Sequence, residues 1–149
     1  LDVFTDEYFM AKALELALQA FDDEEVPIGA IVVHENKIIG KGYNQTERLQ
    51  DVTAHAEMLA ITAASNAVNG KYLDECTLYV TIEPCLMCAG AIQWSRFSRI
   101  VFGAGEPKFG FERIDKGMLG KTEVVGGVLS EECSEVMKRF FRERRKKNN

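Results

Sequence analysis

Two short segments hold the residues best suited to chemistry: Thr53-Ala54-His55-Ala56-Glu57 and Glu83-Pro84-Cys85-Leu86-Met87-Cys88. The first offers an imidazole at His55 and a carboxylate at Glu57. The second offers thiols at Cys85 and Cys88, about one helical turn apart. One nitrogen and two sulfurs suit zinc, and a set of only three protein ligands leaves a fourth position for water. Zinc lowers the pKa of a bound water toward ~7, and Glu57 remains available to move its protons, so the combination describes a hydrolytic centre. Each part alone has a plainer reading. A lone C-x-x-C in an intracellular protein can be a redox pair, a lone histidine is usually structural, and a lone glutamate is usually solvated surface. A structural zinc closes with four protein ligands, and only His55, Cys85 and Cys88 stand at ligand spacing.

The remaining candidates are few. His34 reads as a turn residue, Cys76 as strand core and Cys133 as helix packing, cysteine serving there as a small hydrophobe.

Both motifs need elements to position them. Thr5 caps a helix with Asp6 and Glu7 in its first turn, and Phe9, Met10, Ala13, Leu14, Ala17 and Phe21 recur on one face. Ile28 to Val33 reads as a buried strand, and His34-Glu35-Asn36-Lys37 as a tight turn into a second strand, Ile38 to Tyr43. A polar loop from Asn44 to Asp51 follows. His55 starts a helix that runs to about Val68 and stops at Asn69-Gly70. Cys76 to Ile82 is a third strand, and Pro84 is expected at the first position of the next helix, where its missing N–H costs nothing. Cys85 and Cys88 then fall in that helix's first turn, where thiolates are favoured. Arg99 to Phe102 is a fourth strand, and Val124-Val125 a short fifth. Ser130 is expected to cap a final helix carrying Val136, Met137, Phe140 and Phe141. Residues 104 to 121, rich in glycine and charge, have no readable pattern. A hairpin followed by alternating helices and strands predicts an α/β fold: a mixed five-stranded sheet with helices on both faces.

The 149 residues fit one domain with a real core. No apolar run approaches the roughly 20 residues needed to span a bilayer, and the acidic start, Asp2 to Glu7, lacks the basic beginning of a signal peptide. These features point to a cytoplasmic protein without a membrane partner. The net charge of −5 is unevenly spread. From Lys138 to Lys147 seven basic residues face Glu143 alone, a local charge of +6 that leaves −11 elsewhere. This basic end reads either as a solvated helix end that complements the helix dipole or as a phosphate-binding arm.

The His-x-Glu…Pro-Cys-x-x-Cys pattern matches the signature of zinc nucleobase deaminases. Beyond it, most of the chain resembles bacterial tRNA-specific adenosine deaminases of the cytidine deaminase-like superfamily. The likeness is carried by Glu25-Val26-Pro27-Ile28-Gly29-Ala30, by Thr53 to Glu57, by Thr77 to Ala91, by Phe102-Gly103-Ala104, and by Glu132-Cys133 with Phe140-Phe141-Arg142 on the last helix. It implies a three-layer α/β/α domain over residues 1–149, one Zn2+ per chain, and a homodimer. The activity implied is conversion of adenosine to inosine at the wobble position of a tRNA anticodon stem-loop. Glu57 would shuttle protons to a ring nitrogen and to the leaving amine. Asn44 would contact the base, Ile28 would form an apolar pocket wall, and Ala56 would donate a backbone N–H beside the metal. In the basic helix and tail, about 130–149, one of Phe140 and Phe141 is expected to pack on the body and the other to meet a splayed base, with Arg142 and its neighbours on phosphates. The segment Gly105-Glu106-Pro107-Lys108-Phe109-Gly110-Phe111 departs from the family's pattern. Two other functions fit parts of the sequence: deamination of a free base or nucleoside of guanine or cytosine type, and a non-catalytic zinc-containing RNA-binding or thiol-redox protein.

Overall fold

The computed structural model describes residues 2–148; Leu1 and Asn149, the outer ends of the expected domain and tail, lie outside the described residues. Helix α1 (Asp6–Asp22) begins where expected, with Thr5 Oγ1 accepting the Tyr8 N–H at 3.1 Å. Strands β1 (Gly29–His34) and β2 (Lys37–Tyr43) form the hairpin. Its turn passes through Glu35 and Asn36, at φ of 50° and 63°. Both are left-handed, as a two-residue turn matched to strand twist requires. Then come α2 (Ala56–Val68), β3 (Thr77–Ile82), α3 (Leu86–Ser95), β4 (Arg99–Ala104), a short α4 (Phe111–Asp115), β5 (Glu123–Val125) and α5 (Ser130–Lys147). Among the described residues no helix is long and apolar enough to cross a membrane.

The five strands lie in the order β2-β1-β3-β4-β5. β1 runs antiparallel to β2 and β3, while β3, β4 and β5 are mutually parallel. Alternation along the strands sends side chains to two separate cores. Ala30, Val32, Leu78, Val80, Ile100 and Phe102 face α2 and α3. Ile31, Val33, Tyr79 and Val101 face α1 and α5. One sheet edge therefore gathers the carboxyl ends of β2, β3 and β4 with the amino end of β1, and it is there that α2 and α3 begin.

Three expectations need correction. Pro84 does not occupy the first helical position; it stands just before the cap, which is Cys85. Ser130 is the first residue of α5 and not its cap, because Leu129, left-handed at φ 55°, occupies that position. The unreadable stretch contains α4, anchored by the fully buried Phe111.

The closeness of α2 to the sheet comes from Gly40 and Gly42. A Cβ on Gly42 would collide with the backbone of Ala56 and Ala60, and one on Gly40 with that of Ala60 and Ala64. The helix answers with Ala56, Ala60 and Ala64, all buried. On the opposite face, Arg99 donates through both terminal nitrogens to the Asp6 carboxylate, each at 2.7 Å, and the Tyr79 hydroxyl donates to it at 2.8 Å. These bonds, from Arg99 above all, hold Asp6 below its ordinary pKa of 3.8 against the opposing effect of burial.

A carboxyl depressed in the folded state contributes stability above its unfolded pKa and loses it as pH falls through the folded one. Asp6→Asn should therefore cost about 1–2 kcal/mol at neutral pH. The gap between variant and parent, followed by denaturant unfolding, should stay constant above about pH 5 and close in more acidic solution.

Candidate metal centre and active site

His55 and Cys85 occupy equivalent places, each the cap residue before a helix. Their backbones are extended, with φ/ψ of −75°/156° and −73°/173°, and neither side chain bonds back to its own helix. A capping side chain usually satisfies a free N–H. Here both are released to point into the space between the two helix starts. Cys88 follows in the first turn of α3 and Glu57 in the first turn of α2. The exposed N–H groups of both helices favour negative charge at this place.

The His55 ring turns Nδ1 toward both sulfurs, at 3.6 Å from Cys85 Sγ and 3.5 Å from Cys88 Sγ. A tetrahedron with arms of about 2.0–2.3 Å has edges of roughly 3.5 Å, so the donors are spaced as zinc requires. All three lie within 4.8 Å of one another, and among the described residues no fourth His, Cys, Asp or Glu joins them. Cys76 and Cys133 are buried elsewhere, as core and helix packing.

Protonation in the cluster is uneven. The Cys85 thiol is drawn down to about 4, chiefly by the hydrogen bond it receives from Cys88 and then by that from His55, with burial opposing. Cys88, the donor in that pair, is pushed up, and His55 is raised by its bond with Cys85. Glu57, 4 % exposed, is pushed up to about 7, first of all by burial, so its proton is exchangeable near neutrality.

Beside the metal ligands is a cavity of about 240 Å³ lined by Val26, Ile28, Asn44, Thr46, His55 and Ala56. Ile28, Asn44 and Ala56, candidates from distant parts of the sequence, thus meet on one pocket. Asn44 is 6 % exposed, and its N–H donates to the Ile28 carbonyl at 3.1 Å, carrying the β1–β2 pairing one step beyond Gly29 and Tyr43. Ala56 is the first residue of α2, where the backbone N–H has no acceptor within the helix.

The candidates on α5 lie elsewhere. Phe140 packs on Phe21 and is 5 % exposed, so it belongs to the body. Phe141 and Arg142 line a larger groove of about 590 Å³. Its floor includes Ile82, Ala104 and Met137, and its rim Lys108, Lys138 and Arg145. The basic end is not wholly free: Lys147 pairs with the Glu24 carboxylate at 2.8 Å, and Arg144 reaches the Glu24 carbonyl at 3.5 Å.

Glu83 was missed in the sequence as a structural acceptor. It takes the N–H groups of Glu106 and Glu112, each at 3.0 Å, and fixes the 105–110 loop and the start of α4 to the strand that leads into Cys85. Its neighbours in this contact are 23 and 29 residues away. The only sequence signal was its place beside Pro84.

The chain matches the cytidine and deoxycytidylate deaminase zinc-binding region over residues 4–104. It is 44% identical to a tRNA-specific adenosine deaminase of Aquifex aeolicus, over 93% of this chain and 95% of that one. With the corresponding protein of Bacillus subtilis it shares 45% identity, over 95% and 92%. Among solved structures, one from work on A-to-I editing by tRNA:A34 deaminases superposes with a TM-score of 0.82 at 38% identity, covering 87% of this chain and 98% of that one. A guanine deaminase of Bacillus subtilis superposes with a TM-score of 0.66 at 36% identity, covering 74% of each. The donor set and its spacing therefore agree with zinc as the cofactor.

Elemental analysis should find one zinc per chain. Cys85→Ser or Cys88→Ser should lower that content well below one, whereas Cys76→Ser and Cys133→Ser should leave it intact; zinc loss in either of the latter would contradict the three-ligand centre. Binding zinc displaces the Cys88 proton, so apparent affinity should strengthen as pH rises, as a competition titration at several pH values would show.

Proposed function

This chain belongs to the cytidine and deoxycytidylate deaminase zinc-binding family, with the tRNA-specific adenosine deaminases as relatives along nearly its whole length, and we propose from that premise that it converts adenosine to inosine at the wobble position of a tRNA anticodon loop. The observation that carries this reading is the open three-donor centre beside a buried carboxylate and a small pocket.

His55, Cys85 and Cys88 would hold the zinc, which when bound supplies the Lewis acidity that makes water nucleophilic near neutral pH. Glu57 does the proton work. It accepts a proton from the attacking water and passes it to N1 of the purine as the C6–O bond forms; it then takes the remaining proton from the new C6 hydroxyl and delivers it to the amine as the C6–N bond breaks. Ammonia leaves and inosine remains. Burial, which raises this carboxyl above its ordinary range, suits it both to take and to give protons. Ile28 offers an apolar wall for the base, Asn44 a polar side chain for its edge, and the Ala56 N–H a donor beside the reacting carbon.

The substrate's surroundings fit the same reading. An anticodon loop is single-stranded, so extruding one base costs little. The groove on α5 combines an exposed Phe141 with Lys138, Arg142 and Arg145, suited to a stacked base and phosphates. Residues 1–149 would act as one domain, with α5 as its RNA-facing edge. Leu86, Met87 and Trp94, exposed at 46%, 37% and 81% on α3, support a homodimer burying that face. Such an enzyme would work in the cytoplasm, where tRNA is modified.

Incubation with an anticodon stem-loop should yield inosine, with little turnover of free adenosine, cytidine or guanine. Faster turnover of guanine than of the RNA would favour the free-base alternative. Glu57→Gln should retain zinc and fold but lose at least roughly 10²–10⁴-fold in kcat. Neutralising Lys138, Arg142 and Arg145 together should make the log–log salt dependence of RNA binding shallower by roughly 1.4 if about two of them touch phosphate. An unchanged slope would leave the basic face as a solvated helix end.

A further inference from the structure

We propose that Glu25 is a positioning residue for the substrate pocket: its buried carboxylate ties the 44–54 loop to the 25–28 segment and so sets Asn44 opposite Ile28. The proposal rests on the pocket being the deaminase's base-binding site.

Glu25 is 2 % exposed, one of the largest fully buried side chains in the protein. Its two oxygens are both used: Oε1 accepts the Glu47 N–H at 3.1 Å, and Oε2 accepts the Arg48 N–H at 2.8 Å. None of the ion pairs among the described residues includes it. Burying a carboxylate without a cation is costly, and charge-assisted bonds to backbone N–H groups are the compensation available. Glu25 is also fixed at its own end, since its N–H donates to the Ala20 carbonyl at the close of α1.

The geometry of the loop shows what this arrangement controls. Two residues after Glu25 comes Pro27, then Ile28. Three residues before Arg48 comes Gln45, whose N–H donates to the Ala54 carbonyl at 3.0 Å next to His55. The loop is thus pinched at its neck by the Asn44–Ile28 and Gln45–Ala54 bonds and pinned at its outer turn by Glu25. Val26 and Ile28 on one wall, Asn44 and Thr46 on the other, are joined by the two backbone bonds at the neck and, at the far end of the loop, by one side chain that lines no part of the pocket itself. The hydrogen bonds of the Glu25 carboxylate go to Glu47 and Arg48 and not to the zinc donors or Glu57, so it acts on where the base sits and not on the proton transfers.

Replacing one oxygen by an amide sets N–H against N–H and frees half the clamp. The test compares the zinc-loaded parent, Glu25→Gln, Asn44→Ala and the double variant on an anticodon stem-loop. Glu25→Gln should keep one zinc per chain and kcat within about threefold, while KM rises about five- to tenfold. In the Asn44→Ala background the same change should add little, because both act through one contact. The Glu47 and Arg48 amides should exchange slowly in the parent and faster in the variant. Should Glu25→Gln fail to fold, Glu25→Asp, which keeps the charge but shortens the reach, is judged by the same split. An unchanged KM, or full additivity with Asn44→Ala, overturns the proposal, as do parent Glu47 and Arg48 amides that exchange freely. A parent inactive on the stem-loop overturns the substrate reading instead; the split is then measured on the base the parent does turn over.

Discussion

The site depends on how closely α2 can lie against the hairpin. His55 caps that helix and Glu57 lies in its first turn, while Cys85 caps α3 and Cys88 lies in its first turn, and α3 packs on the same face of the sheet. A ligand set with sulfur-to-nitrogen distances of 3.5 and 3.6 Å tolerates little displacement of one helix relative to the other. Gly40 and Gly42 leave no side chain between β2 and α2, and Ala56, Ala60 and Ala64 leave almost none on the helix. Backbone thus meets backbone, and the helix start is fixed by steric contact and not by the metal alone. Interiors are packed densely enough that even one added methyl group there must move something.

On this frame, burial tunes the chemistry. Glu57 sits against the ligands with almost no solvent, and desolvation brings it close to neutrality. Two other glutamates are spent differently. Glu25 and Glu83 each accept two backbone N–H groups and hold the loops on either side of the centre. Three carboxylates of one residue type therefore do unlike work because their partners differ: thiols and imidazole for one, loop amides for the others.

Features written in local sequence were legible before the structure. The hairpin was readable from apolar β-branched runs flanking Glu35-Asn36, and the metal centre from donor types at short spacing. The cap of α1 followed from Thr5. Where reading failed, local rules lost to longer-range constraints. Pro84 fits a first helical position by propensity, but the chain needs Cys85 extended so that its sulfur faces His55, which moves the helix start past it. Ser130 is a good cap by type, yet the turn after Gly127 delivers Leu129 to that place. Residues 105–121 lack periodicity because they are shaped by Glu83 and by the burial of Phe111, neither visible at short range. Phe140 and Phe141 could not be told apart until α1 supplied Phe21 as a partner for the first.

The central claim is hydrolysis at C6 of one adenosine in tRNA. Its most direct test is to run the reaction in ¹⁸O-labelled water and to analyse the nucleosides of the digested tRNA by mass spectrometry. The account predicts inosine at the wobble position carrying one solvent oxygen, with an equal amount of ammonia released and both products abolished by removing zinc. Unlabelled inosine, or labelled product that forms equally well from metal-free protein, would contradict it.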